Sequence, residues 1–275
     1  MKLAPLVAAG LIAAAGSAHA ADFSDTWIGY RYSSGYAEPA IAKDVPKNIF
    51  TLAHFSGYKY GTNFFSVDLL RSLENDPANR NSTSQAQELY AVYRGSVSSS
   101  KTLGMKYDLG PVKDFSLTFG FDAGAKDTAF APKPLKLLIG PTVNFAIPMG
   151  FVDVSLLAYD ETNNNGIVGR KVQFDTTYQL GALWGVFFNL GTPAKFTGFV
   201  SITGPKGKDG FGVETETETL LRTSVQWDLG TLAGLNKGTF FAGIGYEYWK
   251  NKFGNPSGST GSKNSVPVLV AEFHF

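Results

Sequence analysis

The chain has 275 residues, no cysteine, three histidines and a formal net charge of +1. The lack of cysteine excludes disulfides and thiolate metal ligands, and so few histidines make a histidine-rich metal site hard to build. The small net charge gives no reason to expect nucleic acid as a partner. We therefore expect no cofactor, no metal ion and no nucleic acid.

The amino terminus has the pattern of a secretory signal. Lys2 precedes an apolar run over residues 3–15, and small residues in an A-x-A arrangement fill residues 16–20. This segment is too short and wrongly flanked for a transmembrane helix, so we predict a Sec-type signal peptide that is cleaved after Ala20. Cleavage removes one lysine and no acid, which brings the formal charge to zero. Residues 21–275 are predicted to form a single domain.

The composition of the remaining chain favours strands over membrane-spanning helices. The most apolar stretch, residues 135–152, is interrupted by Lys136, two prolines and two glycines, so it lacks the long uncharged apolar run that a helical span needs. The chain contains 31 Gly, 22 Phe and 12 Tyr and only 17% charged residues. These values are typical of a protein built from many strands and turns.

Alternating segments of about ten residues follow one another along the chain, joined by connections that are alternately short and long. Residues 98–113 remain open, either as an extra short strand or as part of a longer turn. The rhythm predicts an all-β, transmembrane, antiparallel, up-and-down β-barrel of about twelve strands in the bacterial outer membrane. The predicted strands are residues 23–32, 48–58, 62–71, 87–96, 114–126, 136–147, 151–160, 171–189, 194–203, 214–229, 239–250 and 266–275.

The last strand, residues 266–275, ends the chain on Phe275. Period-two alternation places Leu269, Phe273 and Phe275 on one face, with Glu272 and His274 on the other. A closed barrel needs such a strand, because its last strand pairs with its first and leaves no free edge. We expect this strand to contact lipid and to engage the barrel-assembly machinery.

A soluble β-sandwich also has short alternating strands. It does not require one apolar face on nearly every strand, nor aromatic residues such as Tyr30, Trp227 and Tyr248 near strand ends. Both features are expected where strands cross a lipid bilayer and its interfaces. The barrel is therefore the favoured interpretation.

Four stretches of the chain have a familiar sequence: residues 24–32, 56–65, 76–79 and 87–94. They resemble the Tsx-like nucleoside-specific channel superfamily, in the branch often labelled outer envelope protein. The similarity is strongest over the first third of the mature chain and implies a twelve-stranded outer-membrane barrel with a narrow pore for nucleosides. Beyond that third, only the barrel rhythm and the terminal phenylalanine match, and no nucleoside-contacting residue can be carried over.

A barrel of this size is expected to have a narrow path lined by side chains, suited to a small polar solute. A nucleoside presents a flat base that stacks and hydroxyls that form hydrogen bonds, so aromatic residues beside carboxylates are suitable. Ion pairs that only stiffen the barrel are the alternative role for any one of these residues. The predicted solute path contains Asp25, Trp27, Arg31, Asp68, Glu88, Tyr90, Arg94, Asp122, Asp153, Tyr159, Gln173, Asp175, Glu218, Arg222 and Glu247.

Two other functions are compatible with a barrel. A lipid hydrolase needs a nucleophilic serine beside a histidine base, and Ser56 lies two residues from His54 on the same strand face. A structural or adhesion barrel would carry its function in its loops, which are short and polar here. We favour a non-enzymatic channel for the passive diffusion of small polar solutes, with nucleosides preferred.

Overall fold

The computed structural model describes residues 21–275; the predicted signal peptide lies outside the described residues. The strands in chain order are β1 (Phe23–Tyr36), β2 (Val45–Tyr58), β3 (Gly61–Ser72), β4 (Gln87–Ser98), β5 (Val112–Lys126), β6 (Leu135–Ile147), β7 (Gly150–Asn165), β8 (Arg170–Gln173), β9 (Thr177–Asn189), β10 (Pro193–Thr203), β11 (Glu218–Asp228), β12 (Phe240–Lys250) and β13 (Lys263–His274). A one-turn helix, α1 (Ser99–Leu103), follows β4, and a short 3-10 helix (Lys252–Gly254) follows β12.

The sheet closes on itself. Neighbouring strands pair antiparallel around the wall, β6 pairs with β7, and β1 pairs with β13, with Trp27 opposite His274 and Tyr32 opposite Leu269. Strand β8 pairs only with the end of β7, so the other twelve strands form the wall. The predicted closed antiparallel barrel of twelve strands is confirmed.

The two ends of the described chain, residues 21 and 275, lie at one end of the cylinder, which we call the inner end, because the wall contains an even number of strands. The tight connections at residues 59–60 and 148–149 also lie there. Residues 98–113 do not add a strand to the wall: the side chain of Ser98 caps α1 by accepting a hydrogen bond from the Lys101 amide, and a loop leads on to β5. The opposite, outer end carries residues 37–44, 73–86, 204–217 and 251–262 among its connections, whereas the inner end has two long connections of its own, residues 99–111 and 229–239.

Two of the predicted strands are longer than the strands in the structure. The segment 171–189 is broken at residues 174–176, where Phe174 turns inward, becomes buried and donates its amide to the Glu161 carbonyl at 3.0 Å. The segment 214–229 begins its strand at Glu218. Residues 171–176 alternate polar and apolar side chains, and residues 214–217 alternate Glu and Thr, so a period of two continues beyond the wall strands and could not separate them from the connections.

The two faces of the wall have opposite character. Large apolar side chains on the outside of the wall are exposed, among them Ile28 (54% exposed), Ile244 (61%) and Leu269 (58%). An apolar surface of this extent is matched to lipid rather than water. Among residues 21–275, no helix is long and apolar enough to cross a membrane.

The interior of the barrel is mixed rather than wholly polar. A buried apolar cluster lies on the lumen-facing side of the wall, where β13, β1 and β2 run side by side. It consists of Tyr36, Ile49, Val266, Val268 and Val270. Charged and amide side chains cover much of the remaining interior. A solute in the lumen would therefore meet one apolar side and several polar ones.

Deletion of Phe275 is expected to reduce the yield of closed barrel several-fold. Its amide donates to the Thr26 carbonyl at 2.9 Å, the last rung of the β1–β13 seam, and its ring is 69% exposed on the outer face. The measurement is the fraction of protein whose gel mobility changes on boiling. Phe275→Leu keeps the backbone group and an apolar side chain and should assemble normally; an unchanged yield after the deletion would contradict this role for Phe275.

Candidate functional site

The middle of the lumen contains ion pairs on two sides of the wall. On one side Arg31 of β1 pairs with Asp68 of β3, which also accepts a hydrogen bond from the Thr51 hydroxyl at 2.6 Å. On the other side Arg222 of β11 donates to Glu247 of β12 through Nε at 3.0 Å and Nη2 at 2.8 Å. Alternation sends these side chains inward, and closure of the sheet keeps them from bulk water, so each charge has a partner.

A third polar group lies on the wall formed by β4 and β5. Arg94 donates to Asp122 at 2.6 Å, and the Tyr90 hydroxyl donates to the other oxygen of the same carboxylate at 3.0 Å. The Lys136 ammonium lies 5.6 Å from the centre of the Tyr90 ring. An aromatic face, a hydroxyl and a guanidinium are thus available within one region of the wall.

At the inner end the site is built around His274. Its Nδ1 lies 2.8 Å from an Asp25 carboxylate oxygen, and its ring stacks on Trp27 with centroids 5.4 Å apart and planes 19° apart. Lys195 of β10 reaches Glu272 of β13, which also accepts from the Gln226 amide at 3.1 Å. The Lys195 and Gln226 contacts extend over neighbouring strands and narrow this end.

At the outer end loop residues fold into the barrel. Lys206, from the connection between β10 and β11, pairs with Glu161 of β7, which also accepts from the Tyr159 hydroxyl at 2.6 Å. The Trp249 indole donates to Glu218 at 2.6 Å. The side chains of Lys206 and Glu161 are 3% and 4% exposed, so buried charged groups line the outer part of the lumen.

A second outer cluster surrounds Glu38, in the connection between β1 and β2. Burial raises the pKa of its carboxyl, but the positive charges of Lys252, Lys47 and Lys126 outweigh burial and hold the pKa well below its usual value. Burial also lowers the pKa of the Lys252 ammonium, against the opposing effect of the Glu38 charge. Glu38 is therefore ionised throughout the neutral pH range.

Most residues of the predicted solute path lie on the inner face of the wall. Their role in transport stays a prediction, and the contacts above give many of them an ion-pairing role as well. Asp153 accepts from the Asn144 amide at 2.8 Å, and Glu88 lies within electrostatic reach of Lys47 and Lys126. The inward residues are Asp25, Trp27, Arg31, Asp68, Glu88, Tyr90, Arg94, Asp122, Asp153, Tyr159, Glu218, Arg222 and Glu247.

Gln173 and Asp175 were placed wrongly. Gln173 ends β8 in the outer connection, and Asp175 lies in the break before β9; both side chains are exposed. The error followed from treating residues 171–189 as one strand, which assigned Gln173 and Asp175 to the inward face. Phe174, between them, is the residue that turns inward, under the Lys206 ammonium at 4.4 Å from its ring centre.

Several lumen residues were missed. Lys195 faces inward on β10 and could have been found from the same alternation that identified its neighbours. Glu38, Lys206 and Lys252 lie in outer connections. Nothing in their local sequence separates a loop that folds into the barrel from one that stays in solvent.

The pair proposed for lipid hydrolysis has a different arrangement. The Nδ1 atom of His54 lies 2.7 Å from the Thr26 hydroxyl, on the neighbouring strand. Within residues 21–275, no hydrogen bond joins His54 to Ser56 or to a carboxylate. In the same part of the chain, no group of three or more histidine, cysteine, aspartate or glutamate side chains is placed to hold a metal ion.

No protein-family model and no curated protein matches the chain. Among solved structures, the KdgM porin is similar over 90% of this chain and 99% of its own, at 10% identity and a TM-score of 0.47. The translocator domain of the autotransporter NalP from Neisseria meningitidis is similar over 98% and 95%, at 13% identity and a TM-score of 0.48. The NanC porin is similar over 91% and 99%, at 10% identity and a TM-score of 0.45.

At such low identity and TM-scores these likenesses carry no argument about a solute. The class follows from the molecule itself. A closed wall of twelve antiparallel strands, an apolar outer surface and a charged interior are the architecture of porin-like outer-membrane β-barrels.

Glu247→Gln is expected to destabilise the barrel by about 3 kcal/mol, because it leaves the Arg222 guanidinium in the lumen without its counter-charge. Glu247 is 3% exposed and also accepts from the Asn264 amide at 2.8 Å. The measurement is the urea dependence of unfolding in detergent or lipid. The matched control is Glu214→Gln, since Glu214 is 70% exposed and 3.7 Å from Lys208; equal effects of the two variants would contradict the prediction.

Proposed function

We propose that this protein is a channel of the bacterial outer membrane for the passive diffusion of small polar solutes, with nucleosides favoured. The observation that carries the proposal is the closed barrel whose interior combines aromatic rings with carboxylates, amides and guanidinium groups. Such a lining gives repeated weak contacts to a polar solute, which favours passage over trapping. In its N-terminal part, the sequence resemblance to Tsx-like channels supports the nucleoside as the solute.

The stack of Trp27 on His274 is the best candidate contact for a base. It lies beside Asp25 and Glu272. A nucleoside whose base contacts this stack would therefore have carboxylates within reach of its ribose hydroxyls. Further along the lumen, Gln226 Oε1 and the Tyr36 hydroxyl are buried and have no hydrogen-bond partner among residues 21–275. These atoms are free to bond to a solute or to water.

The remaining parts of the proposal concern assembly. We propose that residues 1–20 are the signal peptide that directs the chain through the periplasm, and that the barrel-assembly machinery recognises β13. The apolar outer face of β13, with Leu269, Phe273 and Phe275 exposed, supports this recognition and contact with the lipid bilayer.

The channel is tested in liposomes that contain the purified barrel, by comparing the uptake of uridine with that of sugars and amino acids of similar size. We expect uridine to enter several-fold faster, because its planar base stacks on aromatic residues more strongly than a sugar or an aliphatic amino acid does. Equal rates for all solutes would contradict nucleoside preference. An absence of flux above that of empty liposomes would contradict the channel and favour a structural or adhesion barrel.

Trp27→Leu should reduce the uridine preference about fivefold or more, as loss of one stacking contact costs about 1 kcal/mol or more. The matched control is Trp227→Leu, because Trp227 lies on the outward face of β11 and should leave the preference unchanged. The readout is the ratio of uridine to sugar uptake. A ratio that stays the same in Trp27→Leu would show that this ring does not contact the base.

A further inference from the structure

The connection of residues 37–44 covers part of the outer mouth and is fastened to the connection between β12 and β13. The Ala37 amide donates to the Asn264 side chain, and the Ala40 amide donates to the Thr260 carbonyl at 2.9 Å. Gly261, with φ of +71°, packs so closely on Glu38 that an added Cβ would overlap its carbonyl oxygen. We call residues 37–44 the mouth loop.

The mouth loop inserts one carboxylate among three ammonium groups. Glu38 Oε1 lies 2.6 Å from Lys47 Nζ and 2.8 Å from Lys252 Nζ, and Oε2 lies 2.8 Å from Lys126 Nζ. All four side chains are between 4% and 8% exposed. Three charge-assisted contacts to one carboxylate make a strong oxyanion site.

The three lysines belong to elements other than the mouth loop, although the Lys252 ammonium also donates to the Ala37 carbonyl at 2.8 Å. Lys47 belongs to β2 and Lys126 to β5, where its ammonium also contacts Asp76 at 2.7 Å. Lys252 follows Asn251, whose side-chain amide donates to the Thr217 carbonyl at 2.9 Å. If the mouth loop moved away, the ammonium groups would stay close together and lose one counter-charge. That loss opposes opening unless another anion takes the place of Glu38.

A groove lies beside the mouth loop. A groove of about 280 Å³ lies between the mouth loop and the connection between β12 and β13, lined among others by Ala37, Ile41, Thr260 and Lys263. The far part of the mouth loop is exposed at Ala40 and at residues 42–44. An incoming group can therefore reach the mouth loop at Ala37, the residue before Glu38, from the outside.

We propose that Lys47, Lys126 and Lys252 form a binding site for the oxyanion of a solute, a carboxylate or a phosphate, which Glu38 occupies in the absence of that solute. A solute oxyanion displaces the Glu38 carboxylate and frees the mouth loop, because it binds only the state in which Glu38 has left. Binding does not depend on the proposed channel; only its consequence, a wider outer mouth, rests on the proposed function.

Trp249 provides a readout of binding that needs no transport. The Lys252 ammonium lies 4.8 Å from the centre of the Trp249 ring, so displacement of Glu38 should change the fluorescence of that indole. Folded protein in detergent is titrated with inorganic phosphate in one arm and acetate in another, with chloride at matched ionic strength as reference. We expect a saturable change in at least one arm, absent from Trp249→Phe. The arm that responds identifies phosphate or carboxylate, and no saturable response in either would overturn the proposal.

Glu38→Gln should bind the oxyanion about tenfold or more tightly than wild type, because the competing charge is removed and the site is free. Its control, Glu214→Gln, should bind as wild type does. Lys252→Gln should weaken binding, whereas Lys263→Gln, whose side chain is exposed at the edge of the groove, should not. Unchanged affinity in Glu38→Gln would show that Glu38 does not compete for the site, which would overturn the proposal.

A cross-link tests displacement without altering the charges. The chain has no cysteine, so A40C/T260C introduces one possible disulfide at a position where the two backbones already share a hydrogen bond. We expect oxidation to abolish the fluorescence response and reduction to restore it. A response that persists after oxidation would overturn the displacement of the mouth loop.

Conductance in planar bilayers separates this inference from the channel itself. With the binding oxyanion present, the open fraction of wild type should rise, and Glu38→Gln should be open without it. Binding in a protein that conducts nothing would contradict the proposed function and leave the oxyanion site standing. Conductance without any binding response would overturn the oxyanion site alone.

Discussion

Closure of the sheet between β1 and β13 is the constraint on which the rest of the structure depends. A strand in the hydrocarbon of the bilayer has no water to form hydrogen bonds with its amide and carbonyl groups. Each strand must therefore pair with a neighbouring strand on both sides. The seam from Trp27 to Tyr32 provides this for the first and last strands. With the cylinder closed, period-two alternation turns one face of every strand to the outside and the other to the interior. The apolar belt and the charged lumen follow from that one requirement.

The interior imposes a second constraint, because a charge shielded from water needs a partner. Arg31 with Asp68, Arg222 with Glu247, and Lys195 with Glu272 each join different strands, so the pairs also hold the wall at a fixed width. Because the charges of these ion pairs neutralise one another, the lumen has little net electric field with which to select simple ions. What remains for recognition is stacking on Trp27 and hydrogen bonding, both of which suit a neutral polar solute, whereas the three lysines around Glu38 are suited to an anionic group at the mouth.

The sequence predicted the wall well and the outer end poorly. Alternation located the strands and put Asp68, Arg222 and Glu247 on the inner face, because in a closed barrel the face of a residue depends only on its position along its strand. It failed at residues 171–176, where a loop keeps the same alternation while Phe174 is buried and Gln173 and Asp175 are exposed. It also missed Glu38, Lys206 and Lys252, since their burial depends on how whole loops fold into the mouth and bring together residues such as Glu38 and Lys252 that are far apart in the chain.

The central claim is that the lumen is a path for solute across the barrel. Because the chain has no cysteine, a single Ser224→Cys places one thiol on the inward face of β11, and Leu221→Cys places one on the outward face as a control. The measurement is solute flux into liposomes before and after treatment with a water-soluble, thiol-reactive blocker. The account predicts that the blocker stops flux through Ser224→Cys and leaves Leu221→Cys unaffected. Flux that continues unchanged through fully labelled Ser224→Cys would contradict it.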